Sequence, residues 1–326
     1  MTLQTTHGRA SAARQRGLTL IELLVSLAIG LVIMIAIVSA YIGAAGSSRV
    51  AESSARMNED AQAALAILSQ HIKMAGNNPK QPNYSAASPR NPAFNTGSFA
   101  IRGCDQTYSD VTTAAGIASL TCPGGSGRDS LAVVYEADRY NTVADGSGNP
   151  TDCMGAALTT TTNGTVSLWS TTASAVITAT PAFYLAENRF YVGTSTAITT
   201  PSLFCKGNGT SSSAQPLVEN VEDMQITYGV APSSATTTLT VAGYLSASQF
   251  GATSDAAFNA LSDADKWAKV GTVRVCLIVR SENPVAPDTD SARYYDCSGA
   301  LITSPPDLRL RRAYSTTIVL RNRMGF

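Results

Sequence analysis

Histidine is the reactive residue this chain has least of: its 326 residues contain two, His7 and His71. Nucleophilic triads and cysteine–histidine pairs both need an imidazole base, so the 255 residues after His71 cannot build one from their own side chains. No Walker loop and no His-Glu-x-x-His pattern occurs. Charge is also sparse, at 14% of residues, with 23 basic and 23 acidic side chains. That balance removes the broad electrostatic case for a nucleic-acid partner. Cysteine is present six times but never as Cys-x-x-Cys, and no histidine lies near, which argues against a zinc site. The absences together argue against an enzyme, a metal centre and a bound cofactor.

What the chain does have begins at its N-terminus. Residues 1–17 carry Arg9, Arg14 and Arg16 and no acid, the bias of a cytoplasmic leader. Residues 23–48 then contain no charge and are rich in Leu, Ile, Val and Ala, enough for the roughly 20 residues that cross a bilayer as a helix. The run is too long for a cleaved secretory core. By itself it reads as a signal anchor. One carboxylate, Glu22, sits at its start, and an ionised group in hydrocarbon costs several kcal/mol unless it has a partner.

The helical pattern continues beyond the apolar run. Ala61, Ala64, Leu65, Leu68 and Ile72 recur at helical spacing, and Gly76 and Pro79 mark a stop. A helix over 18–75 is expected, about 87 Å long at 1.5 Å per residue. Its first half is apolar all round and its second half amphipathic.

Residues 77–100 read as an irregular linker rich in Asn, Pro and Ser. Strand patterns follow at 130–136, 182–192, 224–230, 272–280 and 316–321, and residues 254–269 read as one short helix. Thr-, Ser- and Gly-rich tracts at 159–165, 194–202, 207–213 and 233–240 read as surface loops or edge hairpins. The cysteines (Cys104, Cys122, Cys153, Cys205, Cys276 and Cys297) all follow the membrane segment, which favours disulfides in an oxidising compartment. Six cysteines allow 15 pairings. Sequence neighbours are the expected partners, because each such pair brackets one loop-rich stretch.

The other polar candidates are weaker. Glu222 and Asp223 are adjacent and would face opposite ways on a strand. Asp145, Asn149 and Asp152 alternate like calcium ligands but lack the glycine and distal glutamate of an EF-hand, so a solvated turn is expected, as for Asp288 and Asp290. The basic stretch Arg309, Arg311, Arg312, Arg321 and Arg323 reads as a solvated strand edge. His71 reads as a helix-surface residue.

Residues 16–30, Arg-Gly-Leu-Thr-Leu-Ile-Glu-Leu-Leu-Val-Ser-Leu-Ala-Ile-Gly, resemble the class III signal of type IV prepilins. The resemblance implies cleavage by a prepilin peptidase between Gly17 and Leu18, and N-methylation of the new Leu18 amine. It also implies that Glu22 neutralises the terminal amine of a neighbouring subunit. Leu18 stands where Phe is commonest in that family, and Tyr41 fits its pattern. Residues 218–229, 273–281 and 317–323 resemble PilW-like minor pilins more loosely.

The resemblance implies an α+β, pilin-like fold: a long N-terminal helix, membrane-spanning in its first half, packed on a distal antiparallel sheet domain with long loops and disulfides. The expected divisions are a leader (1–17), an assembly helix (18–76) and a periplasmic β-rich domain (77–326). It implies a minor pilin that primes pilus assembly and enters the fibre at its tip, supporting adhesion and twitching motility. Implied partners are the prepilin peptidase, other minor pilins, the major pilin, a tip adhesin and the inner membrane, from which the subunit passes to the fibre. A type II secretion pseudopilin shares the same N-terminal signal, and a signal-anchored periplasmic binding or adhesion domain that never polymerises is the alternative from outside the class.

Overall fold

The structure is a computed structural model that describes residues 19–79, 99–161, 166–170, 172–179, 183–210, 213–235 and 239–323. Gly17, Leu18, the leader and most of the expected linker lie outside the described residues. The chain divides into two compact units, one ending at Ala51 and one running from Glu52 to Phe326. A single helix, α1 (Leu20–Met74), contributes to both.

Within the first unit α1 is an isolated apolar segment. An 18-residue window reaches a mean hydropathy of 2.8, and none of it is buried. Within the second unit the helix turns amphipathic. Met57, Ala61, Ala64, Leu68 and Ile72, spaced three or four apart, form its buried stripe. Each large member stabilises the fold by about 1.5–3 kcal/mol. Gly76, at φ +71°, supplies the left-handed turn that ends the helix, and its N–H donates to Val134 O at 2.9 Å.

Two antiparallel sheets make the rest of this unit. The first runs in the order β1 (Ile101–Cys104), β2 (Ser130–Ala137), β6 (Phe183–Gly193), β7 (Ser202–Lys206), β8 (Gln215–Glu219), with the short β3 (Thr160–Thr161) also on β6. A separate hairpin, β4 (Val166–Ser170) with β5 (Ala175–Ala179), lies between β3 and β6 in the chain. The second sheet takes β9 (Val221–Val230), β10 (Gly243–Leu245), β11 (Val270–Arg280) and β14 (Arg311–Val319) in the order β10-β9-β11-β14. The chain passes between the sheets through one residue, Asn220, at φ +63°, a conformation that Asn tolerates better than most side chains. A two-stranded ribbon, β12 (Tyr294–Tyr295) with β13 (Leu301–Ile302), precedes β14.

The core joins the helix stripe to both sheets: Ile101, Leu131, Phe190 and Leu203 from the first, Met224, Ile226, Val275 and Leu277 from the second. A smaller cluster, Tyr108, Val111, Ile117, Leu120, Ala132 and Val134, lies under the loop that follows β1. Disulfides join Cys104 to Cys122, Cys153 to Cys205 and Cys276 to Cys297, with Cα atoms 5.6, 6.5 and 5.8 Å apart.

Two expectations need correction. The last strand begins at Arg311, five residues earlier than the pattern suggested. Arg311 and Arg312 fall outside the apolar alternation, but the Arg311 charge is paired internally with Glu222 and Asp307 and the residue sits in the ladder. The expected helix over 254–269 is two, α2 (Ala256–Asn259) and α3 (Asp263–Ala268). Each has its own cap: Asp255 accepts from Phe258 N–H, and Ser262 from Asp265 N–H.

Candidate functional site: the apolar helix and its carboxylate

The start of α1 is built by a reciprocal cap. Glu22 N–H donates to Thr19 Oγ1 at 3.3 Å, while Thr19 N–H and Oγ1 both reach Glu22 Oε2 at 3.5 Å. This is the Thr-x-x-Glu capping box, in which the residue three positions into the helix folds back on the cap. The signal was present in the sequence as Thr19 and Glu22, where the apolar context drew attention instead to the cost of the charge. Ser26 Oγ adds a hydrogen bond to Glu22 O.

The cap has a chemical consequence. Glu22 is drawn back along the chain, toward the peptide nitrogen that follows Leu18, so its carboxylate stands at the N-terminal rim of the apolar segment. The helix dipole also favours a negative group at that end. From Leu20 onward the segment is a fully exposed apolar cylinder: Leu20 is 79% exposed, Ile21 71%, Val32 66% and Ile42 65%. Such a surface requires lipid or other apolar helices around it.

The remaining sequence candidates fall elsewhere. His71 is not a free surface residue. Its ring packs 5.2 Å from that of Phe190, and its Nδ1 lies 3.1 Å from Tyr135 Oη and 3.2 Å from Asn188 Nδ2. Burial pushes the imidazole down to about 4, with the Asp152 charge opposing. Asp145 accepts from Ser147 N–H and Asn149 N–H and so closes its own turn, and Asp288 does the same with Ser291 N–H.

The basic stretch is likewise more internal than a solvated edge. The Arg311 side chain is fully buried, bonded through Nε and Nη2 to Glu222 at 2.5 and 3.1 Å and through Nη1 to Asp307 at 2.8 Å. Arg309 shares Asp307 at 3.0 Å. Hydrogen bonds from both arginines hold the Asp307 carboxyl far below the usual range, against the opposing cost of burial. Arg312 and Arg321 remain exposed.

The family model for type IV pilus-assembly protein W matches residues 189–322, the stretch from β6 through the whole second sheet. The prokaryotic N-terminal methylation motif matches residues 12–38, which include Gly17, Leu18 and the Thr19–Glu22 cap. The chain is thus similar to a PilW-like type IV pilin at both its N-terminal signal and its second sheet. A type IV-like pilin from Thermus thermophilus aligns with 85% of this chain and 99% of its own length, at 11% identity and a TM-score of 0.32. No curated protein matches the sequence significantly. The methylation motif is the kind of signal that a prepilin peptidase processes, and the PilW family consists of pilus-assembly proteins. The apolar part of α1 fits a membrane anchor, and pilins are structural proteins.

Proposed function

We propose that this pilin acts without catalysis as a priming subunit of type IV pilus assembly and then resides at the fibre tip, where it supports adhesion and twitching motility. Its leader, residues 1–17, is removed between Gly17 and Leu18. The assembly helix, residues 18–76, spans the inner membrane once and leaves the β-rich domain, residues 77–326, in the periplasm. Other minor pilins, the major pilin and a tip adhesin are its partners. One observation carries the reading: Glu22 is held by Thr19 at the start of a helix whose apolar first part, residues 20–44, is exposed on every side.

The physics of extraction from the membrane follows from that placement. A methylated ammonium from one subunit beside Glu22 of another gains about 4 kcal/mol at 4 Å in a partly solvated site. That gain offsets the desolvation of both groups and fixes the axial step between subunits. Glu22→Ala is expected to leave leader removal intact and to deplete the protein from sheared pili several-fold. Gly17→Ala is expected to block cleavage, leaving a precursor-sized band on a gel. Normal incorporation of Glu22→Ala into pili would overturn the assembly role.

A further inference from the structure

Three of the four end strands of the two main sheets are blunted. β1 is four residues long and carries Gly103, and β10 is three residues long and opens with Gly243. β8 contains Pro216, and its pairing with β7 shifts register between Leu203 and Phe204. Shortness, proline and bulges are the usual means of blunting an edge. β14 has none of them. It pairs with β11 over nine residues without a register shift, and residues 313–319 (Ala-Tyr-Ser-Thr-Thr-Ile-Val) carry no charge and no proline.

The pairing phase shows which backbone groups remain open. Ser281 N–H donates to Leu310 O at 2.8 Å, and Leu320 N–H to Gly271 O at 2.9 Å, so the even-numbered residues between them face β11. The N–H and C=O groups of Ala313, Ser315, Thr317 and Val319 therefore point away from the sheet. Ser315, Thr317 and Val319 are also exposed at their side chains. The β12–β13 ribbon stands beside only the first part of the strand, where the Arg311 guanidinium lies 5.7 Å from the Tyr294 ring.

We propose that the open edge of β14, residues 313–319, is a docking site for one extended segment of another pilin subunit, which adds a strand to the second sheet. The proposal rests on the assembly reading above and names one of its contacts. Two features favour a different pilin over a second copy of this chain. The exposed Arg312 and Arg321 flank the open stretch, so it matches a β-branched strand flanked by carboxylates. Two copies paired antiparallel about Ser315 would instead set Arg321 opposite Arg309 at both ends, which is repulsive. The edge also lies along the assembly helix within the same unit. Tyr314 Oη donates to Asn58 Oδ1 at 2.6 Å, and Asn322 Nδ2 to Lys73 O at 2.9 Å. A strand added there would therefore lie beside the helix that packs in the fibre.

The test uses the full chain in its pilus-bearing host, with the photo-crosslinker p-benzoylphenylalanine at position 317. The expected product is an adduct to an extended segment of another pilin, found by peptide mapping. Ser315→Pro removes only an outward N–H, so an unchanged Tm with loss of that adduct is expected. Thr317→Asp, which places a charge on the edge without touching the backbone, should do the same if the proline variant proves unstable. An adduct to this chain alone, to lipid or to a non-pilin protein overturns the proposal, as does a full adduct yield in both variants. Wild-type protein missing from the pili of piliated cells would instead sink the assembly reading itself. Protein present in pili without a strand adduct sinks only the edge.

Discussion

Asp129 binds the backbone of Ile226 across the two sheets: Ile226 N–H donates to Asp129 Oδ2 at 2.6 Å, while Asp129 N–H donates to Met224 O at 2.8 Å. The residue is 4% exposed, and its carboxyl forms no ion pair among the described residues. Burial pushes its pKa up to about 8, with Asp105 and Asp223 adding in the same direction and the Ile226 hydrogen bond opposing. The clasp therefore prefers its proton.

A carboxyl that holds its proton more tightly in the fold than in the unfolded chain stabilises most below its ordinary range, near pH 4. It loses that contribution as pH rises through about 8. Thermal unfolding of the disulfide-intact protein should show this as a falling Tm from about pH 6.5, above the range in which His71 titrates, to about pH 8. Asp129→Asn keeps the acceptor for Ile226 without the charge, so it should raise Tm at pH 8 and flatten the decline. Each kcal/mol recovered is worth about 2–4 °C in a domain of this size. A lower Tm for Asp129→Asn at pH 8 would refute the assignment.

His71 has the opposite sign. Its folded pKa of about 4 lies below the ordinary 6.5, so its contribution is complete above 6.5 and is lost as pH falls through 4. Burial keeps the ring neutral, Tyr135 and Asn188 lie against its Nδ1, and Asn188 in turn accepts the Cys153 N–H at 3.0 Å. Asn188→Ala orphans the Cys153 N–H, while His71 and Tyr135 keep each other, and should cost about 1–3 kcal/mol. His71→Gln should remove the acid-side loss of stability while leaving the alkaline limb, which belongs to Asp129. Unfolding curves recorded from pH 4 to pH 9 separate the two.

Legibility from the sequence followed chemistry. The helix stripe at Ala61, Ala64, Leu68 and Ile72 and the strands around Ile226 and Val275 were readable because apolar periodicity directly encodes a buried face. Asp129, Asn188 and Arg311 were not. A polar residue is buried only when a partner distant in sequence satisfies it, and Ile226, Cys153 and Glu222 are 97, 35 and 89 residues away from them. The Thr19–Glu22 cap was local and readable. The open edge of β14 was not, since no residue in 313–319 states which side of the strand is paired.

Gly103 and Tyr228 make a second contact between the sheets. A Cβ at Gly103 would lie 1.7 Å from Tyr228 Oη. The tyrosine cannot retreat easily, because its ring meets Trp267 edge-on at 4.8 Å and Phe250 at 5.8 Å. Gly103→Ala should therefore destabilise by about 1–3 kcal/mol through overpacking. Tyr228→Phe, which removes the hydroxyl, should recover part of that loss in the double variant, and a double-mutant cycle measures the coupling. Strict additivity of the two changes would show that the glycine matters for another reason.

Arg311 offers the sharpest test of the buried charges at the start of β14. Its side chain has no exposed surface, and its partners Glu222 and Asp307 keep 21% and 30% of theirs. Arg311→Ala takes the buried cation from two carboxylates and should cost about 3 kcal/mol, the lower part of the range for breaking a buried pair, because water reaches both acids and Arg309 and Arg280 remain beside them. Arg311→Met with Glu222→Gln and Asp307→Asn removes the charges together and should restore most of that stability, since the buried guanidinium and its acids all lose solvation on folding. If the triple variant is as unstable as Arg311→Ala, the cluster works through its hydrogen-bond geometry rather than through charge balance. Urea midpoints for the single and triple variants, measured at pH 7 with the disulfides intact, decide between these outcomes.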